Sequence, residues 1–259
     1  MTRHETLSIP SIAEKDLVLA TDLDGTFLGG SDKDRADFYA WIEANRARVG
    51  LIFVTGRDPG HISFLTRKRG VPKPDYVVGD VGTTIAEVGP DHLLSPIPEL
   101  EEEIAAKWGD ASSKVEAALH RTPGLKLQGT AFRYRVSYDM DPERFDEEAA
   151  VEKVSALGLD ALVSADRFFD VLPKDVSKGP SLLRLLAHLG VENERCLVAG
   201  DTMNDYSMLA MGLPAVAVGG SEPALVDRVA DLEHVHVARQ DGVAGIAEAI
   251  VAYQMLKRA

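Results

Sequence analysis

Two aspartates two residues apart, Asp22 and Asp24, stand in the stretch Thr21-Asp22-Leu23-Asp24-Gly25-Thr26, directly after the apolar run Leu17–Ala20. Carboxylates this close repel each other unless a cation lies between them, and oxygen-only ligands suit a hard ion such as Mg2+. Gly25 allows the sharp turn that follows them. Other polar groups occupy comparable places. Thr55-Gly56-Arg57 follows Leu51–Val54, Gly200-Asp201-Thr202-Met203-Asn204-Asp205 follows Cys196–Ala199, and Lys178-Gly179 opens a helical stretch. If the apolar runs are neighbouring strands, Asp22, Asp24, Asp201 and Lys178 converge on one crevice at the strand ends. Asp205, one helical turn beyond Asp201, can orient its neighbours there. Each residue also has a plainer reading. Asp22 and Asp24 could be turn residues, Thr55, Asn204 and Asp205 helix caps, and Arg57 half of a structural ion pair. Lys174 competes with Lys178, but only Lys178 immediately precedes the helix. The joint occurrence of the groups favours the chemical reading.

The elements that must position these groups follow from periodicity. Buried strands are expected at Leu17–Ala20, Leu51–Val54, Tyr76–Val78, Arg195–Ala199, Ala215–Val218 and Val235–Val237. Helices are expected at Asp34–Val49, from Pro59 to about Arg69, and at Pro180–Leu189, Asn204–Ala210 and Gly242–Leu256. Strands alternating with helices predict an α/β class, with a Rossmann-like parallel sheet covered on both faces. Between residues 83 and 172 the pattern changes to an α+β insert. A strand or hairpin is expected to begin there at Thr83–Val88, with strands at Leu125–Gln128, Phe132–Tyr138, Ala161–Val163 and Phe168–Leu172 and helices at Leu100–Trp108, Ser112–Leu119 and Glu143–Leu157. The expected division is therefore a core of 1–82 plus 173–259, interrupted by an inserted domain of 83–172.

Bulk properties narrow the partners. A formal net charge of -13 over 259 residues disfavours nucleic acid and anionic membrane surfaces. A bound phosphate therefore needs its own local positive charge. The single cysteine, Cys196, lies in an apolar run, and one cysteine allows no intrachain disulfide. That usage, with no apolar stretch in Met1–Lys15 long enough for a signal peptide and no membrane-length run, leads to an expectation of a cytoplasmic protein. None of the histidines has metal-ligand spacing; His234 and His236 are read as structural, and Trp41 and Trp108 as packing residues. The run Glu99, Glu101, Glu102 and Glu103 is read as a charged helix start.

Taken in order, Asp22-Leu23-Asp24-Gly25-Thr26, Val54-Thr55-Gly56-Arg57, Lys178 and Gly200-Asp201-Thr202-Met203-Asn204-Asp205 resemble the four motifs of the haloacid dehalogenase superfamily. They span nearly the whole chain. The insert resembles the type II cap of the Cof-like branch. Residues 74–83 and Leu125-Lys126-Leu127-Gln128 are similar to segments of its sucrose-phosphate-phosphatase and mannosylfructose-phosphate-phosphatase group. The resemblance implies a Mg2+-dependent sugar phosphatase acting through an aspartyl phosphate. It makes Asp22 the nucleophile and Asp24 the acid that protonates the leaving oxygen, then the base that activates water. Thr55 and Gly56 would bind phosphoryl oxygens, and Lys178 would supply positive charge to them and to Asp22. The metal would be held by Asp22, the Asp24 carbonyl and Asp201, supported by Asp205. Arg57 and Asn204 join the expected substrate-binding residues.

Alternation in the insert puts Lys126, Gln128, Arg133 and Arg135 on one strand face, with Leu125, Leu127, Phe132, Tyr134, Val136 and Tyr138 opposite. In type II caps the polar face looks down on the active site, so Gln128, Arg133 and Arg135 are candidate substrate contacts. A solvated basic face is the plainer alternative. The expected partner is a small phosphorylated sugar, with disaccharide phosphates such as sucrose 6-phosphate among the candidates, and the expected assembly a monomer or small homo-oligomer. Two other functions share these residues: a phosphomannomutase-like mutase, and a phosphosugar-binding regulator without catalysis.

Overall fold

The computed structural model describes residues 11–68, 70–130, 132–164 and 166–256. Residue 69, where the second helix was expected to end, and the first ten residues lie outside that set.

The first half of the chain runs β1 (Leu17–Thr21), α1 (Asp32–Ala44), β2 (Val49–Val54), α2 (Pro59–Lys68), β3 (Tyr76–Gly79), β4 (Thr84–Val88) and β5 (Leu94–Pro96). Next come α3 (Pro98–Trp108), α4 (Ala111–Ala118), β6 (Leu125–Leu127), β7 (Val136–Met140), α5 (Glu147–Ser155), β8 (Leu159–Ser164) and β9 (Phe168–Pro173). The chain closes with α6 (Lys178–Leu189), β10 (Cys196–Gly200), α7 (Tyr206–Leu209), β11 (Ala215–Gly219), α8 (Pro223–Val229), β12 (Val235–Asp241) and α9 (Gly242–Ala252).

One sheet has the order β12-β11-β10-β1-β2-β3-β4-β5, and its pairs from β12 to β3 are parallel. The period of two along each buried strand divides the core into two layers. Val18, Ala20, Ile52, Val54, Cys196 and Val198 face α6 through Leu182, Leu185 and Leu186. Leu17, Leu19, Leu51, Phe53, Leu197 and Ala199 face α1 and α9 through Phe38, Ile42, Ile246 and Ile250. With both faces covered, β1 reads as a continuous apolar run rather than an alternating one.

The hairpin expected to begin at Thr83–Val88 forms, but it joins the large sheet and not the insert. Residues 84–96 make the antiparallel hairpin β4–β5 on the edge of the large sheet, so the sheet's own strands extend past residue 83. Ile85 and Ala86 are fully buried there, which draws the hairpin to the large sheet rather than to the insert. The helix Pro223–Val229, with proline in its first turn, was not anticipated.

The insert is a four-stranded antiparallel sheet of order β6-β7-β9-β8. Val136, Tyr138, Phe169 and Val171 pack its inner face on α4 and α5 through Val115, Ala150 and Val154. Two strand expectations are corrected. Residues 132–135 precede the strand, which begins at Val136, and Leu127, on a three-residue edge strand, is 46% exposed rather than packed. Trp108 is buried in this core, and Trp41 stacks on Phe38, as packing residues should.

Candidate active site

The large sheet reverses direction of winding at β1, which has β10 on one side and β2 on the other. Ligands of open parallel sheets bind at such a switch point, beyond the carboxyl ends of the strands. Asp22 follows β1, Thr55 follows β2 and Asp201 follows β10.

Lys178 is the first residue of α6, and the apolar face of that helix anchors it in the core. Its side chain is wholly buried, and its Nζ donates to Asp22 Oδ1 at 2.6 Å, Asp205 Oδ1 at 2.6 Å and Asn204 Oδ1 at 2.9 Å. Burial opposes its charge, but Asp205 and Asp22 more than offset this, and the ammonium titrates above its ordinary range. Asp205 is held rigidly: its Oδ2 also accepts from the amides of Asp201 and Thr202, each at 3.0 Å. Lys174, the competing candidate, instead pairs with Asp160 on the insert.

One carboxylate oxygen each of Asp22, Asp201 and Asp205 lie within 4.8 Å of one another. Burial pushes Asp22 up to about 8, opposed by Lys178 and reinforced by Asp205 and Asp201. Burial likewise pushes Asp201 up to about 6, although the Thr26 hydroxyl donates to it at 2.6 Å. Clustered oxygen donors whose ionisation is costly on their own are what a hard divalent cation relieves. The donor set therefore fits Mg2+. Gly25 makes the close approach possible: its φ is +83°, and a Cβ there would lie 2.1 Å from Asp201 Oδ2.

Asp24 is placed differently. Its carboxylate is exposed and stands outside that cluster, with Arg57 donating from Nε to Oδ2 at 2.7 Å and from the terminal nitrogen to Oδ1 at 2.9 Å. Arg57 is thus an ion-pair partner of Asp24. Thr55 is buried, and its hydroxyl accepts from the Arg57 amide at 3.1 Å, which shapes the loop around Gly56.

The insert reaches this crevice: β8 packs against Met203–Asp205. Its expected contact residues have partners that alternation did not reveal. Arg133 is bound by both oxygens of Glu101, at 2.9 Å each, and donates to Thr84 at 3.3 Å. Arg135 is buried between Asp170 at 3.1 Å and Asp80 at 3.7 Å, and donates to the Gly56 carbonyl at 3.4 Å. Gln128 is half-buried and donates to Asp139 at 3.2 Å. The face is thus acid-balanced rather than basic. The signal was present in Phe168–Leu172, where alternation turns Asp170 to the same face as Ser137 across β7 and β9. His234 and His236 contact the Leu209 carbonyl and Glu248, away from the crevice.

The family model described as sucrose-6F-phosphate phosphohydrolase matches residues 15–254. The chain is 39% identical over 241 residues to a glucosylglycerol-phosphate synthase of Pseudomonas anguilliseptica, covering 93% of this chain but 31% of that protein. It therefore spans about a third of that relative's length. It is 29% identical over 219 residues to the mannosylfructose-phosphate phosphatase of Agrobacterium fabrum, covering 81% of this chain and 85% of that one. The solved sucrose-phosphatase of Synechocystis, in complex with sucrose and phosphate, superposes with a TM-score of 0.83 at 23% identity, covering 93% of this chain and 98% of that one. That likeness is one of fold.

Proposed function

We propose that this chain, which belongs to the sucrose-6F-phosphate phosphohydrolase family of haloacid dehalogenase-type sugar phosphatases, hydrolyses the phosphate monoester of a two-unit glycoside with Mg2+ as cofactor. One observation carries the reading. A fully buried lysine joins the carboxylates of Asp22 and Asp205, while Asp201 completes an oxygen cluster around the same point.

In this reading an Asp22 oxygen attacks phosphorus, and the bond from phosphorus to the sugar oxygen breaks. Asp24, released from Arg57, gives that oxygen its proton. Asp24 then takes a proton from water, whose oxygen displaces Asp22 and frees phosphate. Splitting one displacement into two makes each barrier lower. Thr55 and the Gly56 amide orient the phosphoryl oxygens, and Lys178 offsets charge on Asp22 and on the group in flight. Mg2+, bound by Asp22 and Asp201 with Asp205 behind them, would supply charge neutralisation between the carboxylate and the phosphoryl group. Gln128 on the insert is the proposed contact to the leaving sugar. The division into a core of 1–82 plus 173–259 and a specificity unit within 83–172 stays part of this proposal, with the hairpin 84–96 joined to the core sheet.

The substrate class rests on the relatives. Sucrose, mannosylfructose and glucosylglycerol phosphates all carry a glycosidic bond beside the ester, and this supports a phosphorylated glycoside over a free hexose phosphate. A phosphate-release screen with these three compounds, glucose 6-phosphate and mannose 6-phosphate tests it in Mg2+. The glycoside phosphates should lead in kcat/KM. Preference for a hexose phosphate, or its isomerisation without phosphate release, would contradict the reading.

A further inference from the structure

Asp80 follows β3 on a turn that runs against backbone preference, with φ of +51° at Asp80 and +60° at Val81. Left-handed backbone is uncommon outside glycine, and a β-branched residue there is an outlier that needs surrounding support. The turn is held from three directions. Its amides donate to the loop that carries Thr55 and Gly56, from Asp80 to the Arg57 carbonyl at 3.1 Å and from Val81 to the Thr55 carbonyl at 3.2 Å. Ser181, on the helix opened by Lys178, donates to the Gly82 carbonyl at 2.7 Å. Gly82 lies so near that helix that a Cβ would stand 2.4 Å from the Ser177 carbonyl carbon. The third support is the insert. Arg135 lies 3.7 Å from Asp80 Oδ1 while bonded to Asp170, and Thr84 holds the other Asp80 oxygen at 2.7 Å.

One guanidinium thus touches an insert strand, the strained turn and the Gly56 carbonyl. Its contact with Asp80 is longer than a hydrogen bond. Both Asp80 Oδ1 and Arg135 Nε are buried without a hydrogen-bond partner among the described residues. Buried polar atoms left this way are costly, and a small further approach of insert to core would satisfy the carboxylate. We propose that Asp80 is a positioning residue: through Arg135 it couples the seating of the insert to the geometry of the Thr55–Arg57 loop and the start of the Lys178 helix. The inference rests on the phosphatase reading, because it takes that loop to bind phosphate. Asp80 itself touches no reacting atom.

The test is a double-mutant cycle on the full chain in Mg2+, with Asp80→Asn, Arg135→Gln and the two combined. Asparagine tolerates left-handed backbone, so Asp80→Asn removes the charge and keeps the turn. The readouts are the Kd of inorganic phosphate by calorimetry and the kcat for p-nitrophenyl phosphate. Each single variant should weaken phosphate binding by about tenfold and lower kcat in parallel, and the double variant should be no worse than the worse single, as for residues acting through one contact. An unchanged phosphate Kd in Asp80→Asn, even with a lower Tm, would reduce the turn to a structural role and overturn the proposal. So would losses that multiply in the double variant. If Asp80→Asn does not fold, Asp170→Asn, which frees Arg135 from the insert side, takes its place in the cycle. Phosphate binding does not need turnover. A wild-type protein that binds phosphate but hydrolyses no monoester would sink the phosphatase reading, and the cycle would still decide whether Asp80 acts through Arg135.

Discussion

Lys178 Nζ lies 2.6 Å from Asp22 Oδ1 with its side chain sealed from solvent, so the charge beside the proposed nucleophile comes from the core of the protein and not from its surface. A sealed ammonium needs its carboxylates, and they need it. Breaking a buried pair by removing one partner strands the other, typically at ~3–5 kcal/mol. Lys178→Met should therefore lower the Tm of the metal-free protein well beyond what a surface substitution does, and lower kcat by about 100-fold or more through lost charge stabilisation. Lys178→Arg should not restore kcat, because the acceptors on Asp22, Asp205 and Asn204 converge at 2.6–2.9 Å on one compact ammonium and not on a planar fork. Thermal melts in EDTA with steady-state kinetics check both statements; a Tm and kcat near wild type would contradict them.

The carboxylate cluster makes stability depend on pH in a defined direction. Asp22 at about 8 and Asp201 at about 6 both stand above the ordinary 3.8. The folded metal-free protein thus binds more protons than the unfolded chain across that window, and its stability falls as pH rises through it. Melts in EDTA at about pH 5 and about pH 7.5 should show the lower Tm at the higher pH. Asp201→Asn should flatten the slope, and a slope unchanged by it would assign the effect elsewhere.

Metal binding should run the opposite way. Protons compete with a cation for raised carboxylates, so the apparent Mg2+ affinity should tighten between about pH 6 and about pH 8, with proton release on binding. Calorimetry in two buffers of different ionisation enthalpy reads the released protons directly. An affinity indifferent to pH would mean that Asp22 and Asp201 are not the ligands.

Gly25→Ala offers a backbone test of the same cluster. The added Cβ would meet Asp201 Oδ2 at 2.1 Å, on a residue whose φ is +83°. One of the two must move, and Mg2+ affinity should fall at least about tenfold as site geometry is lost. Mg2+ titration of this variant, monitored by Tm, checks it; unchanged affinity would place the metal away from Asp201.

Gln128→Ala separates sugar recognition from chemistry. If Gln128 contacts the leaving sugar, kcat/KM should fall for a glycoside phosphate by about tenfold, the scale of one lost hydrogen bond to substrate, and stay near wild type for p-nitrophenyl phosphate. Equal losses on both substrates would count against a specificity role.

The parallel core and the strand-end residues were legible because each rests on a short-range signal. Apolar runs mark β1, β2 and β10, and the polar residues directly after them must fall at one edge of the sheet. What was not legible depends on pairing between distant segments. Arg133 and Arg135 read as free cations from alternation alone, and their acids sit on α3, on β9 and after β3. Glu101 looked like one more charge at a helix start, yet it is buried against Arg133. The hairpin 84–96 carries no local mark that assigns it to the large sheet rather than the insert; its register with β3 decides that. In the sequence Arg57 fits either an ion pair or a substrate contact, and its partner, Asp24, emerges only when the ends of β1 and β2 are side by side.

The proposed mechanism requires the Asp22 carboxylate to form the bond to phosphorus. Turnover by Asp22→Asn on the best substrate from the phosphate-release screen, in saturating Mg2+, decides whether it does. An amide in that place is a poor nucleophile, so kcat should fall by about 1,000-fold or more while substrate binding persists. Residual turnover within about tenfold of wild type would show that another group attacks phosphorus.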